Sequence, residues 1–556
     1  MEMRPVPGWG TIPRMLRDRA DRYGDAVVVA ADGVRLTLAG LRARARDVAR
    51  ALLAAGAVPG DRVALWAPNT PDWVVAAFGV WDAGAIVTPV STRFRGLEAA
   101  AQLRATGARI LLVAEGFMDT SYLSMLAAAT GGPDFPELPD LRHVVLLNNA
   151  TRPGSATRPN SAIGTGGADG TGGAGRVVGV IGWDSFLADG ARVGVDEAER
   201  RALAVGSDDL AEIMATSGTT GDPKGVMLHH EQLLRGYWDW AEVVTLGPGD
   251  RYPVIAPFSH GFGLNAGLLA CVLRRATMTP VAVFRPDALL DLIERHRVSV
   301  LAGAPPMFFR VLEEIGDRDL ASLRVAICGA AAVPPELIRR LVDRVGLERM
   351  INAYGLMEGT VVSMTRAGDP VEVVAATTGR AMPGVTLRVT GDDGRDLPPG
   401  TPGEILVGGY GVMRGYWRDP ERTAEAVDAD GWLHTGDIGT LDEHGNLAIV
   451  DRKKEMFISS GFNAYPAEIE SLLLRCGLVG EVAVIGRPDD RAGEVAWAFV
   501  VPPPGTELDA AGITAWAREN MANYKVPRRV VGLTALPLNA NGKVDRQALR
   551  RRAEQA

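Results

Sequence analysis

Between Leu38 and Val113 the apolar residues change period repeatedly, and this alternation limits what the chain can fold into more than any other feature. Leu41 to Ala57 repeats with helical spacing, and Arg62 to Trp66 is a short apolar strand. Pro71 to Ala83 is helical again, with proline at a helix start, where its missing amide is no loss. Ile86–Pro89, Gly96–Ala105 and Ile110–Val113 continue as strand, helix and strand. Such alternation specifies a parallel sheet covered by helices. A second region of the same kind runs from Asp208 to about Met364. After Gly379 the texture shifts to short alternating strands with Asp-Gly and His-Gly-Asn turns, expected to form a small antiparallel sheet or barrel. The expected class is therefore α/β. A large N-terminal domain, 1–450, holds two helix-flanked β-sheets plus a small β-barrel at about 380–450. A smaller α+β C-terminal domain, 451–556, follows.

Length supports more than one domain, because 556 residues exceed what one core organises. A net charge of -8, from 59 basic and 67 acidic residues, gives no electrostatic footprint for nucleic acid. Arg550, Arg551 and Arg552 read as the solvated face of a terminal helix. Cys271, Cys328 and Cys476 are far apart, which excludes a disulfide framework and a cysteine-based zinc site. The first residues lack an apolar signal-type core. The membrane-like stretch from Trp73 is broken by Asp82 and Gly84, so it reads as a buried helix and strand. A cytoplasmic protein with no membrane span is expected, and nothing in the sequence speaks to oligomeric state. Residues 151–176 are rich in Gly, Ser, Thr and Pro and read as a flexible insertion. Its GTGGAG, Gly170 to Gly175, formally matches a dinucleotide fingerprint but lacks the strand before and the helix after. It is discounted.

The stretch ATSGTTGDPKGV, Ala215 to Val226, carries the chemistry. Leu210 to Ala215 is strand-like, so the loop leaves a strand end, where ligands gather in α/β sheets. Its glycines allow close backbone approach to phosphate oxygens. Thr216, Ser217, Thr219 and Thr220 supply donors, and Lys224 supplies charge. It is no Walker A loop, because Lys224 lies between Pro223 and Gly225. His260 read alone is equally a core histidine and a site residue, and Lys543 read alone is a solvated surface lysine.

This loop, with NAYGLMEG (Asn352 to Gly359), GWLHTGDIG (Gly431 to Gly439), DRKKEMFISSGFNAYPAEIE (Asp451 to Glu470) and NGKVDR (Asn541 to Arg546), resembles the adenylate-forming superfamily over nearly the whole chain. That superfamily includes acyl-CoA synthetases, luciferases and peptide-synthetase adenylation domains. STRFRG (Ser91 to Gly96) and GFNAYPAEIE are similar to an actinobacterial acid–CoA ligase branch.

The resemblance implies a ligase that joins a small-molecule carboxylic acid to the α-phosphate of ATP and then passes the acyl group to CoA. Charge gathers on phosphate oxygens in the first transition state, so preorganised donors and cations matter most. By resemblance, Thr216, Ser217, Gly218, Thr219, Thr220, Gly221 and Lys224 hold the departing phosphates, and Glu358 with Thr216 holds Mg2+. The nucleotide also falls to Asn352, Ala353, Tyr354 and Gly355, with Tyr354 stacking on adenine and Gly329, Ala330 and Ala331 opposite. Asp437 takes the ribose hydroxyls, reinforced by Arg452. Lys543 bridges carboxylate and α-phosphate, and His260 lies near the acyl carbonyl. The resemblance also implies a mobile lid that hinges at Asp451 and withdraws Lys543, with Gly461 lining a pantetheine tunnel.

Three residues depart from the family pattern. Met357 replaces a threonine whose hydroxyl contacts phosphate, so that Thr360 or water substitutes or the phosphate geometry differs; Ser259 replaces an aromatic residue; Ser460 replaces a glycine. These departures keep a second reading open, a diazotase-like relative that adenylates nitrite and passes it to an aryl amine without CoA. A third reading, a degenerate nucleotide-binding scaffold, has no use for Lys543.

Overall fold

The structure is a computed structural model, describing residues 5–31, 33–147, 178–217, 223–329, 333, 335–391, 393–452, 457–537 and 544–554. The insertion at 151–176, with its glycine-rich GTGGAG, lies outside the described residues.

A seven-stranded sheet runs in the order Gly179–Gly182, His143–Leu146, Ile110–Val113, Arg62–Trp66, Ile86–Pro89, Leu210–Ser217, Pro223–His229. Every neighbour pair is parallel except the last. A five-stranded sheet, led by the parallel strands Val300–Gly303, Val325–Cys328 and Arg349–Leu356, adjoins a four-stranded one containing Arg251–Val254. Ser299 N donates to Arg251 O at 3.1 Å, which joins the two into one second layer. The β-rich segment expected after residue 380 is a four-stranded antiparallel sheet from Val385–Thr390 to Leu447–Arg452.

The apolar stretch from Trp73 shows why the first sheet is buried. Helix Pro71–Asp82 starts at Thr70, whose hydroxyl accepts from Trp73 N, and proline occupies its first turn. Nearly the whole helix is buried, including Trp73, Phe78 and Trp81. Gly79 lets helix Leu38–Ala54 approach: a Cβ there would lie 2.4 Å from Val48 Cβ. Asp82, which interrupts the stretch in sequence, is buried in an ion pair with Arg17 at 2.9 Å. No helix among the described residues is long and apolar enough to cross a membrane.

From Phe457 onward a separate five-stranded sheet is built on the hairpin Glu481–Asp489/Gly493–Val501, flanked by Phe457–Ser459 and Arg529–Gly532. Helices Pro466–Leu473 and Ala510–Asn520 bury Ile469, Leu473, Ile513 and Ala517 in a core of its own.

Candidate active site

Strand Leu210–Ser217 carries Thr216 to the rim of the seven-stranded sheet, and Pro223–His229 returns antiparallel beside it. Thr216 and Lys224 thus stand opposite each other in register across this β-hairpin. Gly225 is required by a close approach, since a Cβ would meet Ile213 Cγ2 at 2.6 Å and Trp417 Cβ at 3.2 Å. Through that gap the segment Gly415–Trp417 hydrogen-bonds the hairpin: Trp417 N donates to Gly225 O at 2.7 Å, and Met227 N to Gly415 O at 3.0 Å.

This segment brings Tyr416 into the site. Lys224 Nζ lies 4.6 Å from the Tyr416 ring centroid, and Tyr416 Oη donates to Glu358 Oε1 at 2.9 Å. Burial, with the adjacent Glu358 carboxylate, raises the Tyr416 pKa, so the phenol stays a donor. A lysine, a phenol and a carboxylate from three distant stretches therefore form one row. Sequence reasoning found Lys224 and Glu358 but missed Tyr416, because nothing local to the Gly415–Trp417 stretch marks it. Glu358 is held by a neutral phenol, and among the described residues no lysine or arginine pairs with it. Its charge therefore suits a hard cation.

The nucleotide candidates meet on the second layer. Tyr354, on Arg349–Leu356, donates from Oη to Asp437 Oδ2. Asp437 is buried on Leu433–Leu441, its amide donating to Thr435 Oγ1 at 3.1 Å. It is paired in register with Arg452, so the two ribose candidates are neighbours in backbone. Gly329 lies against Ala353, with a Cβ 2.8 Å from Ala353 O, and Gly355 against Thr360 O. Asn352 has a different task in this arrangement. Both amide contacts run to backbone carbonyls, Val374 O at 3.1 Å and Thr377 O at 3.0 Å, and brace the strand.

His260 follows Ser259 on a loop anchored by Asn69, whose Oδ1 accepts from Phe258 N at 2.8 Å. His260 keeps exposed surface, yet protein packs closely around it. That enclosure lowers its pKa, and Nδ1 accepts from Phe262 N at 3.2 Å. The imidazole is thus neutral, with Nε2 as the donor. Met357 packs toward Gly261, where a Cβ would sit 3.0 Å from its sulfur. The suggestion that Thr360 replaces the missing hydroxyl is corrected here: Thr360 Oγ1 is buried toward Gly411, not offered to a phosphate. Behind the loop, fully buried Glu212 accepts from Asn265 Nδ2 at 3.0 Å, and burial pushes its pKa up to about 8. Sequence reasoning missed Asn69 and Glu212.

Gly218, Thr219, Thr220, Gly221, Ala330, Ala331 and Lys543 lie outside the described residues, and Ser217, Asp451 and Arg452 are described in backbone only. Ser460 has φ +53°, which explains why glycine suits that position, and its amide donates to Ala492 O at 2.7 Å. Gly461, φ +80°, approaches Ala304 of the N-terminal part.

Two family models match: AMP-binding enzyme over residues 16–417, and AMP-binding enzyme C-terminal domain over 468–543. The chain is 42% identical over 543 residues to 3-[(3aS,4S,7aS)-7a-methyl-1,5-dioxo-octahydro-1H-inden-4-yl]propanoyl:CoA ligase of Rhodococcus jostii, covering 97% of this chain and 98% of that one. Among solved structures, a double mutant of o-succinylbenzoate CoA synthetase from Bacillus subtilis, bound to its product analogue OSB-NCoA, superposes with TM-score 0.79. Identity there is 25%, covering 96% of this chain and 97% of that one. ATP-bound MatB from Rhodopseudomonas palustris gives TM-score 0.64 at 28% identity, covering 98% and 99%. With both family domains matched in order and a relative 42% identical over nearly the whole chain, the chain belongs to the AMP-binding enzyme family of adenylate-forming proteins, in the acyl-CoA synthetase branch.

Proposed function

We propose that the protein converts a ring-bearing carboxylic acid of alicyclic or aromatic type into its CoA thioester, with release of AMP and pyrophosphate. The observation that carries this reading is the row Lys224–Tyr416–Glu358 at the mouth of the Thr216 hairpin. It holds a positive charge and a carboxylate on either side of one phenol, the pair of charges that departing phosphates and a counter-ion call for. The acid class follows from the relative that acts on a hydrindane propanoate and from the small, polar Ser259 beside His260.

In the first half-reaction the acid carboxylate attacks the α-phosphorus, and the α–β phosphoanhydride bond breaks to release pyrophosphate. Lys224 and the Thr216 hydroxyl receive the growing negative charge on the leaving group. Glu358 and Thr216 would hold Mg2+, which neutralises phosphate charge when bound. Tyr354 and Asp437 orient the nucleoside, and neutral His260 donates from Nε2 toward the acyl oxygen. Lys543 bridges carboxylate and α-phosphate. In the second half-reaction the CoA thiolate attacks the acyl carbonyl and AMP leaves. The hinge at Asp451, between 1–450 and 451–556, exchanges the two settings.

The test is product analysis with ATP, Mg2+ and benzoic, cinnamic, cyclohexylpropanoic or octanoic acid, with and without CoA. CoA-dependent AMP and thioester are expected, fastest for a ring-bearing acid. ADP as product, or preference for octanoic acid, overturns the respective part. AMP formation requiring nitrite and an aryl amine would restore the diazotase reading, which the relatives named as CoA ligases do not favour.

A further inference from the structure

One side chain ties the His260 loop to the first sheet. Asn69 lies three residues past the end of strand Arg62–Trp66 in the seven-stranded sheet and is 5% exposed. Its Nδ2 donates to Val254 O at 3.0 Å and to Ala256 O at 2.9 Å, and its Oδ1 accepts from Phe258 N at 2.8 Å. Val254 ends strand Arg251–Val254 of the second layer. Asn69 therefore joins two sheets at the carboxyl ends of their strands, the edge where ligands gather in α/β folds.

These bonds fall along the approach to His260. Beyond Val254 the chain leaves its ladder, whose last pair there is Val254 with Pro280. Its polar groups then need partners from elsewhere, because a buried amide or carbonyl left unpaired is costly. A planar side-chain amide offers two donor hydrogens and an acceptor at once, and here all three are engaged. Helix Pro71–Asp82 begins two residues after Asn69, and its Trp73 ring meets the Phe258 ring at 5.0 Å between centroids. Past Phe258 the turn closes on itself. His260 N donates to Pro257 O at 2.9 Å, and Gly263 N and Leu264 N each donate to His260 O at 2.9 Å. The imidazole is thus placed by a turn whose entry Asn69 holds at three points.

The bonds that hold the nucleotide and phosphate candidates, Tyr354 to Asp437 and Tyr416 to Glu358, run between other stretches of the chain. We propose that Asn69 is a positioning residue for the acid substrate. It sets the His260 loop across the junction of the two sheets, so that the imidazole meets the acyl oxygen, and it takes no part in holding ATP. This rests on the ligase reading above.

Two variants separate this role from a merely structural one. Asn69→Ala removes all three bonds, whereas Asn69→Asp keeps the size and an acceptor for Phe258 N but, when ionised, donates to neither carbonyl. With the fastest acid of the panel, ATP–pyrophosphate exchange is measured against acid and against ATP concentration, alongside thermal melting. Asn69→Ala should raise KM for the acid about tenfold or more, the effect of buried groups losing their partners, with KM for ATP within about twofold of wild type. An equal rise in both, or a lower rate with neither KM changed, overturns the proposal. If Asn69→Ala does not fold, Asn69→Asp must show the same split, and its failure to do so also overturns it. A double-variant cycle then asks whether Asn69 acts through His260. Adding Asn69→Asp to His260→Ala should leave the acid KM within about twofold of that of His260→Ala alone. Independent losses that multiply, or an unchanged acid KM in His260→Ala, overturn the proposal. A wild type that shows no exchange with any acid removes the ligase reading itself, and this inference with it.

Discussion

Tyr354 donates its phenolic proton to Asp437 Oδ2 across 83 residues of sequence, tying the parallel strand that ends in NAYG to the antiparallel sheet that carries TGD. The bond orients the carboxylate assigned to ribose before any nucleotide arrives. Tyr354→Phe keeps the ring and removes this bond, and KM for ATP should rise several-fold with kcat little changed. Asp437→Ala should raise it more, by about tenfold or beyond, the size of a lost hydrogen bond to a charged group. Initial-rate kinetics decide it; equal kcat losses in both variants would contradict an orienting role.

Tyr416→Phe removes the Glu358 contact but leaves the ring beside Lys224. Weaker Mg2+ binding is expected, with the half-saturating concentration raised about tenfold. Tyr416→Ala should add a loss in kcat, because Lys224 then lacks its aromatic support. Titration of activity with Mg2+ at fixed ATP tests both.

Glu212 offers a stability test with a definite sign. Burial raises its folded pKa to about 8 from the ordinary carboxyl value of 4.5. As pH rises between these values the unfolded chain releases its proton while the folded protein retains it, so this group's contribution to stability declines until the folded form also ionises. Glu212→Gln keeps an oxygen that can accept from Asn265 Nδ2 and cannot ionise. Its melting temperature relative to wild type should therefore climb from pH 5 to pH 8. A constant difference across that range would show Glu212 to be ionised in the fold.

Gly263 lies three residues beyond His260, and a Cβ there would fall 2.2 Å from both Ala256 O and Pro257 O. Gly263→Ala must push the Pro257–His260 turn aside. A loss of about 1–3 kcal/mol in denaturant titration is expected from the overpacking, together with a raised KM for the acid. Unchanged acid KM would separate this turn from the acid cleft.

Much of the architecture was readable from local pattern. Helix Pro71–Asp82 and strand Ile86–Pro89 follow from a proline start, apolar content and a glycine break, all within a few residues. Thr216, Lys224, Glu358, Tyr354 and Asp437 stand in motifs of fixed spacing, because the chemistry of phosphate and ribose asks for those residue types in short runs. Pairing between distant residues is different in kind. Tyr416 joins Lys224 and Glu358 only because Gly225 leaves room for a segment nearly two hundred residues later. Asn352, a motif residue, spends its amide on Val374 and Thr377, and Thr360 turns its hydroxyl inward. Lys525 finds Glu98 across 427 residues through docking of two separately folded units. Periodicity and spacing record which face of an element is buried and which side chains a loop presents. The partner each one meets is decided when whole sheets pack, since burial makes an unmet charge or hydrogen bond costly wherever in the chain its partner lies.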